Sequence, residues 1–129
     1  MSDAVDKQSK VLVVEDEFLV RLTLVEALSD EGFQVLEAET GDAALPILQN
    51  YREISLLLTD IQLPGTMNGH ALALKARENL PNLPIIFMTG GPGGETDSSA
   101  QNVFISKPYT LANVCNTAKR LTATGTAAE

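Results

Sequence analysis

Asp60 closes the apolar run Ile54-Ser55-Leu56-Leu57-Leu58-Thr59, and Glu15-Asp16 close the earlier run Val11-Leu12-Val13-Val14. Two strands of buried type that both end in acid would gather carboxylates at one edge of a parallel sheet. In open α/β sheets that carboxyl edge is where ligands bind. Like charges in one place repel: at an effective dielectric of about 20, a pair roughly 4 Å apart costs about 4 kcal/mol. A cation relieves that cost, and Mg²⁺ suits it, a hard ion that takes oxygen ligands and often bridges carboxylates to a phosphoryl group. Thr89 ends a further run, Ile85-Ile86-Phe87-Met88, and Lys107-Pro108 follows Val103-Phe104-Ile105. On the same sheet edge they would add a hydroxyl and an ammonium to the acids.

The elements that must position these groups are short. Apolar runs at Lys10–Val14, Gln34–Glu37, Ser55–Thr59, Ile85–Met88 and Val103–Ile105 read as five strands. The first and third have little polar alternation, as central parallel strands covered on both faces do. Helical patterns alternate with them at 17–31, 42–52, 69–79 and 110–122. This alternation predicts a doubly wound, five-stranded parallel sheet with helices on both faces. Residues 1–9 and 123–129 are expected to be loose ends flanking one domain over 10–122.

Helix 17–31 carries two apolar faces. Val20, Leu24, Ala27 and Leu28 fall together on a helical wheel and should meet the sheet, whereas Phe18, Leu22 and Val25 lie opposite. The second stripe reads either as scattered exposed hydrophobes or as a docking surface for a partner helix. Pro46 should kink helix 42–52 or delay its start. Asn68 is a natural N-cap for helix 69–79.

Composition limits the function classes. The chain has 129 residues, 44% hydrophobic and 20% charged, the profile of one globular domain. Its net charge of −8 disfavours nonspecific attraction to nucleic acid or anionic membrane. The single cysteine, Cys115, cannot make an internal disulfide. With no run of transmembrane length and a polar start, these features lead to the expectation of a cytoplasmic protein.

The pieces Val13-Val14-Glu15-Asp16-Glu17, Thr59-Asp60-Ile61-Gln62-Leu63-Pro64-Gly65, Met67-Asn68-Gly69, Phe87-Met88-Thr89-Gly90 and Phe104-Ile105-Ser106-Lys107-Pro108-Tyr109 carry a resemblance. Together, and in this order, they resemble a response-regulator receiver domain of two-component signalling, over roughly residues 10–122. The resemblance implies a flavodoxin-like sheet in the order 2-1-3-4-5. It implies that Asp60 accepts a phosphoryl group from a phosphohistidine on a histidine kinase or histidine phosphotransfer protein. Mg²⁺ would be held by Glu15, Asp16, Asp60 and the backbone carbonyl of Gln62. Thr89, Gly90 and Lys107 would bind the phosphoryl oxygens, with a cis bond between Lys107 and Pro108. Thr89 and Phe104 would form the switch, and Phe18, Leu22 and Val25 the partner-docking face.

Taken singly, each residue has a plainer reading. Asp60 could cap the turn that follows it, and Glu15-Asp16 could support the start of helix 17–31. Phe104 could be a strand aromatic packing on helix 110–122, His70 a surface residue, and Tyr109 a neighbour of Pro108. The chain also departs from the family. The Thr89–Lys107 segment is short and carries Gly90, Gly91, Gly93 and Gly94, so a fourth family helix there should be short or irregular. The Pro64–Gly69 connection has an extra residue, and together with the Thr89-Gly90 pair after the fourth strand it resembles a subset of bacterial stand-alone receivers.

With no effector domain expected, the chain should act through protein contacts, as a phosphate shuttle, a sink or a docking switch, and as a monomer or weak dimer. An aspartyl-phosphate phosphohydrolase is the enzymatic rival, but such enzymes place a second acid where this chain has Gln62. Only self-phosphorylation and self-dephosphorylation are therefore expected. A receiver-like binding module that never takes phosphate is the other rival.

Overall fold

In the computed structural model, residues 9–51, 53–90 and 101–123 are described. The elements run β1 (Lys10–Val14), α1 (Phe18–Asp30), β2 (Gln34–Ala38), α2 (Gly41–Asn50), β3 (Ile54–Asp60), α3 (Gly69–Asn79), β4 (Ile85–Thr89), β5 (Asn102–Ser106) and α4 (Leu111–Thr122). Every strand pairing is parallel, and the sheet order is β2-β1-β3-β4-β5. The expected strand and helix positions and the expected strand order are those observed. The expected short or irregular helix over 95–102 falls almost wholly on 91–100, outside the described residues.

Alternation along each strand builds two cores. Val11, Val13, Leu56, Leu58, Ile86 and Met88 meet Leu24 and Leu28 of α1 and Val114, Ala118 and Leu121 of α4. Their neighbours Leu12, Val14, Leu57, Ile85 and Phe87 face the other way, onto Ala44, Leu48, Leu72 and Ala76 of α2 and α3. A side-chain period of two sends successive residues to opposite faces, so a strand covered on both sides reads as an unbroken apolar run. Each fully buried Leu or Ile contributes about 1.5–3 kcal/mol, which makes the three central strands the rigid part of the scaffold.

Helix starts are fixed by local hydrogen bonds. Thr40 Oγ1, Asn68 Oδ1 and Thr110 Oγ1 accept from the backbone N–H groups of Ala43, Ala71 and Asn113, at 2.9, 2.9 and 3.0 Å. The Asn68 cap is the one read from the sequence. The expected late start at Pro46 is not found: α2 begins at Gly41 and runs through Pro46 to Asn50. Its first turn is held by the Thr40 cap, by burial of Ala44, and by the Asp42 carboxylate, which accepts from Thr66 Oγ1 at 2.8 Å. That last bond also ties the longer β3–α3 connection to α2.

Val25 departs from the outward stripe of α1 in which the helical wheel places it. It is half-buried and packs against the α1/α4 core, in the cluster that includes Phe33 and Val35. Gly69, at the start of α3, lies so close to β3 that a Cβ there would overlap the Asp60 carbonyl and sit 2.9 Å from Ile61 Cα. Its N–H donates to the Ile61 carbonyl at 2.8 Å. Only glycine permits this approach. Gly69→Ala should therefore lower stability by about 1–3 kcal/mol through overpacking. In urea denaturation the midpoint should fall with little change in slope; an unchanged midpoint would mean the contact is slack.

Candidate functional site

The carboxyl ends of β1, β3 and β4 and the start of the β5–α4 loop meet at one edge. Glu15, Asp16 and Asp60 each offer a carboxylate oxygen within 4.8 Å of the others. Glu15 and Asp60 are buried, at 1% and 5% exposure, while Asp16 is exposed. Lys107 Nζ donates to Asp60 Oδ2 at 2.8 Å, and the Gln62 N–H donates more weakly to Asp60 Oδ1 at 3.3 Å. The Lys107 backbone N–H donates to the Thr89 carbonyl at 2.8 Å, which fixes the lysine to β4. The Lys107-Pro108 bond is cis, as expected.

Thr89 is buried at the end of β4, in register with Ser106, and Gly90 stands beside the Lys107 stem. A cavity of about 440 Å³, lined by Asp16, Ile61, Gln62, Leu63, Pro64 and Asn68, opens next to the acids. A larger groove, about 800 Å³, lies at the opposite edge of the sheet, among the strand starts and the end of α4. It holds none of the acids, so the smaller cavity is the one that matters chemically.

The electrostatics are those of an undercompensated cluster. Burial pushes the Glu15 carboxyl up to about 7, the Glu17 N–H at 3.0 Å opposes the rise, and the neighbouring Asp60 charge adds to it. Burial alone would lower the Lys107 ammonium, but its hydrogen bond to Asp60 reverses the sign and leaves it raised. Tyr109 is half-buried against the α1/α4 core, and burial followed by the Glu15 charge raises its hydroxyl. Glu15 Oε1 is buried, with no hydrogen-bond partner among the described residues. A buried, unpartnered oxygen beside two more carboxylates is costly unless a cation takes it up. The donor set is all oxygen and fits a hard divalent ion.

Several participants give no signal in the sequence. Arg21 donates to the Glu15 carbonyl at 2.8 Å and to Glu37 Oε1 at 2.9 Å, with its guanidinium 5.6 Å from the Phe18 ring centre. A lone arginine on a helix does not announce such contacts, and neither does the amide role of Gln62. Conversely, Glu15 does part of the plainer job, because its Oε2 accepts from the Glu17 N–H just ahead of α1, where the N-cap Glu17 makes no side-chain capping bond. Phe104 does not pack on α4. It lies on the opposite sheet face, stacked on Phe87 with ring centres 4.8 Å apart, because residue 104 is the register partner of Phe87 in the β4–β5 pairing. Phe18 and Leu22 are exposed at 61% and 37%, and Leu19, outside the expected stripe, at 70%.

A doubly wound parallel sheet with three acids, a threonine and a lysine at its carboxyl edge places the chain among α/β domains of the receiver type. The chain belongs to the response regulator receiver domain family, whose model matches residues 11–119. The response regulator receiver protein CpdR of Brucella abortus (strain 2308) is 34% identical over 116 residues, covering 87% of this chain and 95% of that protein. The sensor kinase CckA of the same organism is 33% identical over 119 residues, covering 86% of this chain but only 12% of that protein. Among solved structures, a response regulator receiver protein from Sinorhizobium medicae WSM419 superposes with a TM-score of 0.82 at 27% identity, over 90% of this chain and 95% of that one. Among the described residues, no helix is long and apolar enough to cross a membrane.

The Glu15 shift fixes a pH dependence. Its carboxyl sits near 7 when folded and near 4.5 unfolded, so between those values the folded state holds the extra proton. Stability in chelator should therefore be greatest below pH 4.5 as far as this group is concerned and fall as pH rises through 7. We expect Tm in EDTA to drop by on the order of several degrees between about pH 5.5 and 8. Glu15→Gln should flatten that profile; an equally steep profile in the variant would assign the effect elsewhere.

Proposed function

We propose that Asp60 is the phosphoacceptor of a two-component or phosphorelay pathway, receiving its phosphoryl group from a phosphohistidine on a histidine kinase or phosphotransfer partner. The carrying observation is the 2.8 Å contact of Lys107 with one Asp60 oxygen inside a cluster of three carboxylates. Glu15, Asp16 and Asp60, with the Gln62 carbonyl, would hold Mg²⁺, which when bound neutralises charge on the carboxylates and the phosphoryl oxygens.

Asp60 is held from both sides, by Lys107 on Oδ2 and by the Gln62 amide on Oδ1. An Asp60 oxygen attacks phosphorus, the P–N bond to the donor imidazole breaks, and the imidazole leaves with the bonding pair. Lys107 then pairs with a phosphoryl oxygen, and the Thr89 hydroxyl and Gly90 amide accommodate another. Thr89 and Phe104 carry the change to the surface. The exposed Phe18 and Leu22, joined by Leu19, are the partner-docking face, with Val25 supporting it from the core side. The product is an altered set of protein contacts, and turnover is limited to phosphorylation and dephosphorylation of the domain itself. Receiver-family membership and the similarity to CpdR support this reading.

Incubation with acetyl phosphate and Mg²⁺, followed by intact mass, should add one phosphoryl group to the wild type and none to Asp60→Asn. Leu22→Asp should label normally from acetyl phosphate yet accept phosphoryl at least about tenfold more slowly from a phosphorylated histidine partner, as for loss of a buried contact worth about 1.4 kcal/mol. An unlabelled wild type beside a labelled reference receiver would overturn the phosphoacceptor role. Equal slowing of Leu22→Asp from both donors would overturn the docking face alone.

A further inference from the structure

Resting on the phosphoacceptor reading, we infer that His70 is a positioning residue that holds the Phe104 ring in its resting place and links it to the state of Asp60. Three rings form a triangular cluster on the α2/α3 side of the sheet. Phe87 of β4 is buried, Phe104 of β5 is half-buried, and the two are register partners stacked at 4.8 Å with planes 18° apart. The imidazole of His70, at the start of α3, lies 5.1 Å from the Phe87 ring and 6.3 Å from the Phe104 ring, tilted to both. It is the solvent-exposed member of the cluster.

The backbone beneath the imidazole is not free to drift. Gly69, its chain neighbour, touches the Asp60 carbonyl and donates to the Ile61 carbonyl at 2.8 Å, and Asn68 caps the same turn. The start of α3 is thus seated on the end of the strand that carries the phosphoacceptor. A shift of that strand end moves Gly69, and with it the ring that borders Phe104. The route is contiguous: Asp60 backbone, Gly69, His70 ring, Phe87 and Phe104 rings.

A ring contact of this kind favours the arrangement in which it is made. A ligand that prefers the other arrangement must overcome it, and can shift the balance only by its own difference in affinity. Beryllofluoride with Mg²⁺, a mimic of the phosphoryl group on aspartate, supplies such a ligand. His70→Ala should bind it about twofold to tenfold more tightly than wild type, the range an aromatic contact sets. Its affinity for Mg²⁺ alone should not change. His70→Phe, which keeps a ring in place, should return to the wild-type value, whereas His70→Leu, which keeps bulk without a ring, should resemble His70→Ala.

The companion readout is the ring resonances of Phe104 in phenylalanine-labelled protein, free and bound. In His70→Ala they should already be displaced toward the bound positions before ligand is added. If wild type and His70→Ala bind beryllofluoride equally and the Phe104 resonances coincide, His70 is a surface residue and the inference is overturned. If wild-type protein with Mg²⁺ binds no beryllofluoride, the phosphoacceptor reading fails, and this inference falls with it.

Discussion

Three carboxylates crowded at the end of a parallel sheet are the constraint around which this domain is organised. Glu15 and Asp60 are almost completely buried, and one Glu15 oxygen has no hydrogen-bond partner among the described residues. At an effective dielectric of about 20, each close pair of ionised acids costs about 4 kcal/mol before desolvation is added. The protein brings an ammonium, that of Lys107, to the cluster and gives it to Asp60. Burial then holds Glu15 near a neutral-pH titration point. Such a site carries an electrostatic demand of the kind a divalent cation meets.

The scaffold explains how this demand is sustained. The acids follow strands whose residues are buried on both faces, so the strand ends cannot splay apart without opening two cores. Neighbouring elements close the remaining freedom. Arg21 binds the Glu15 carbonyl, the Lys107 N–H binds the Thr89 carbonyl, and Gly69 sits against Asp60 with no room for a side chain. The β3–α3 connection is restrained by the Asp42–Thr66 bond. Rigid strand ends and anchored loops give the pre-organisation that positioning chemistry requires.

Much of this was legible in the chain. The unbroken runs of β1 and β3 announced strands covered on both sides, and the acids that end them announced the site. What sequence could not give was direction in three dimensions. Val25 falls with Phe18 and Leu22 on an ideal wheel, but a wheel ignores which neighbours a helix leans on, and Val25 joins the cluster that holds Phe33 and Val35. Phe104 could be placed on β5 but not on a face, because register with β4 decides that it meets Phe87 rather than α4. Pro46 ends helices by local rules, yet the Thr40 cap and the Asp42 anchor carry α2 through it. Arg21 and His70 are ordinary as letters and acquire meaning only from what the fold brings beside them.

We propose that Glu15, Asp16 and Asp60 together bind one divalent ion, and that the bound ion displaces the proton Glu15 holds near neutral pH. Calorimetric titration of Mg²⁺ near pH 6.5, in two buffers of different ionisation heat, reads binding and proton release at once. Binding of one ion with release of part of a proton, both lost in Asp16→Asn, is the predicted result. Absence of binding, or binding that Asp16→Asn leaves unaltered, would contradict it.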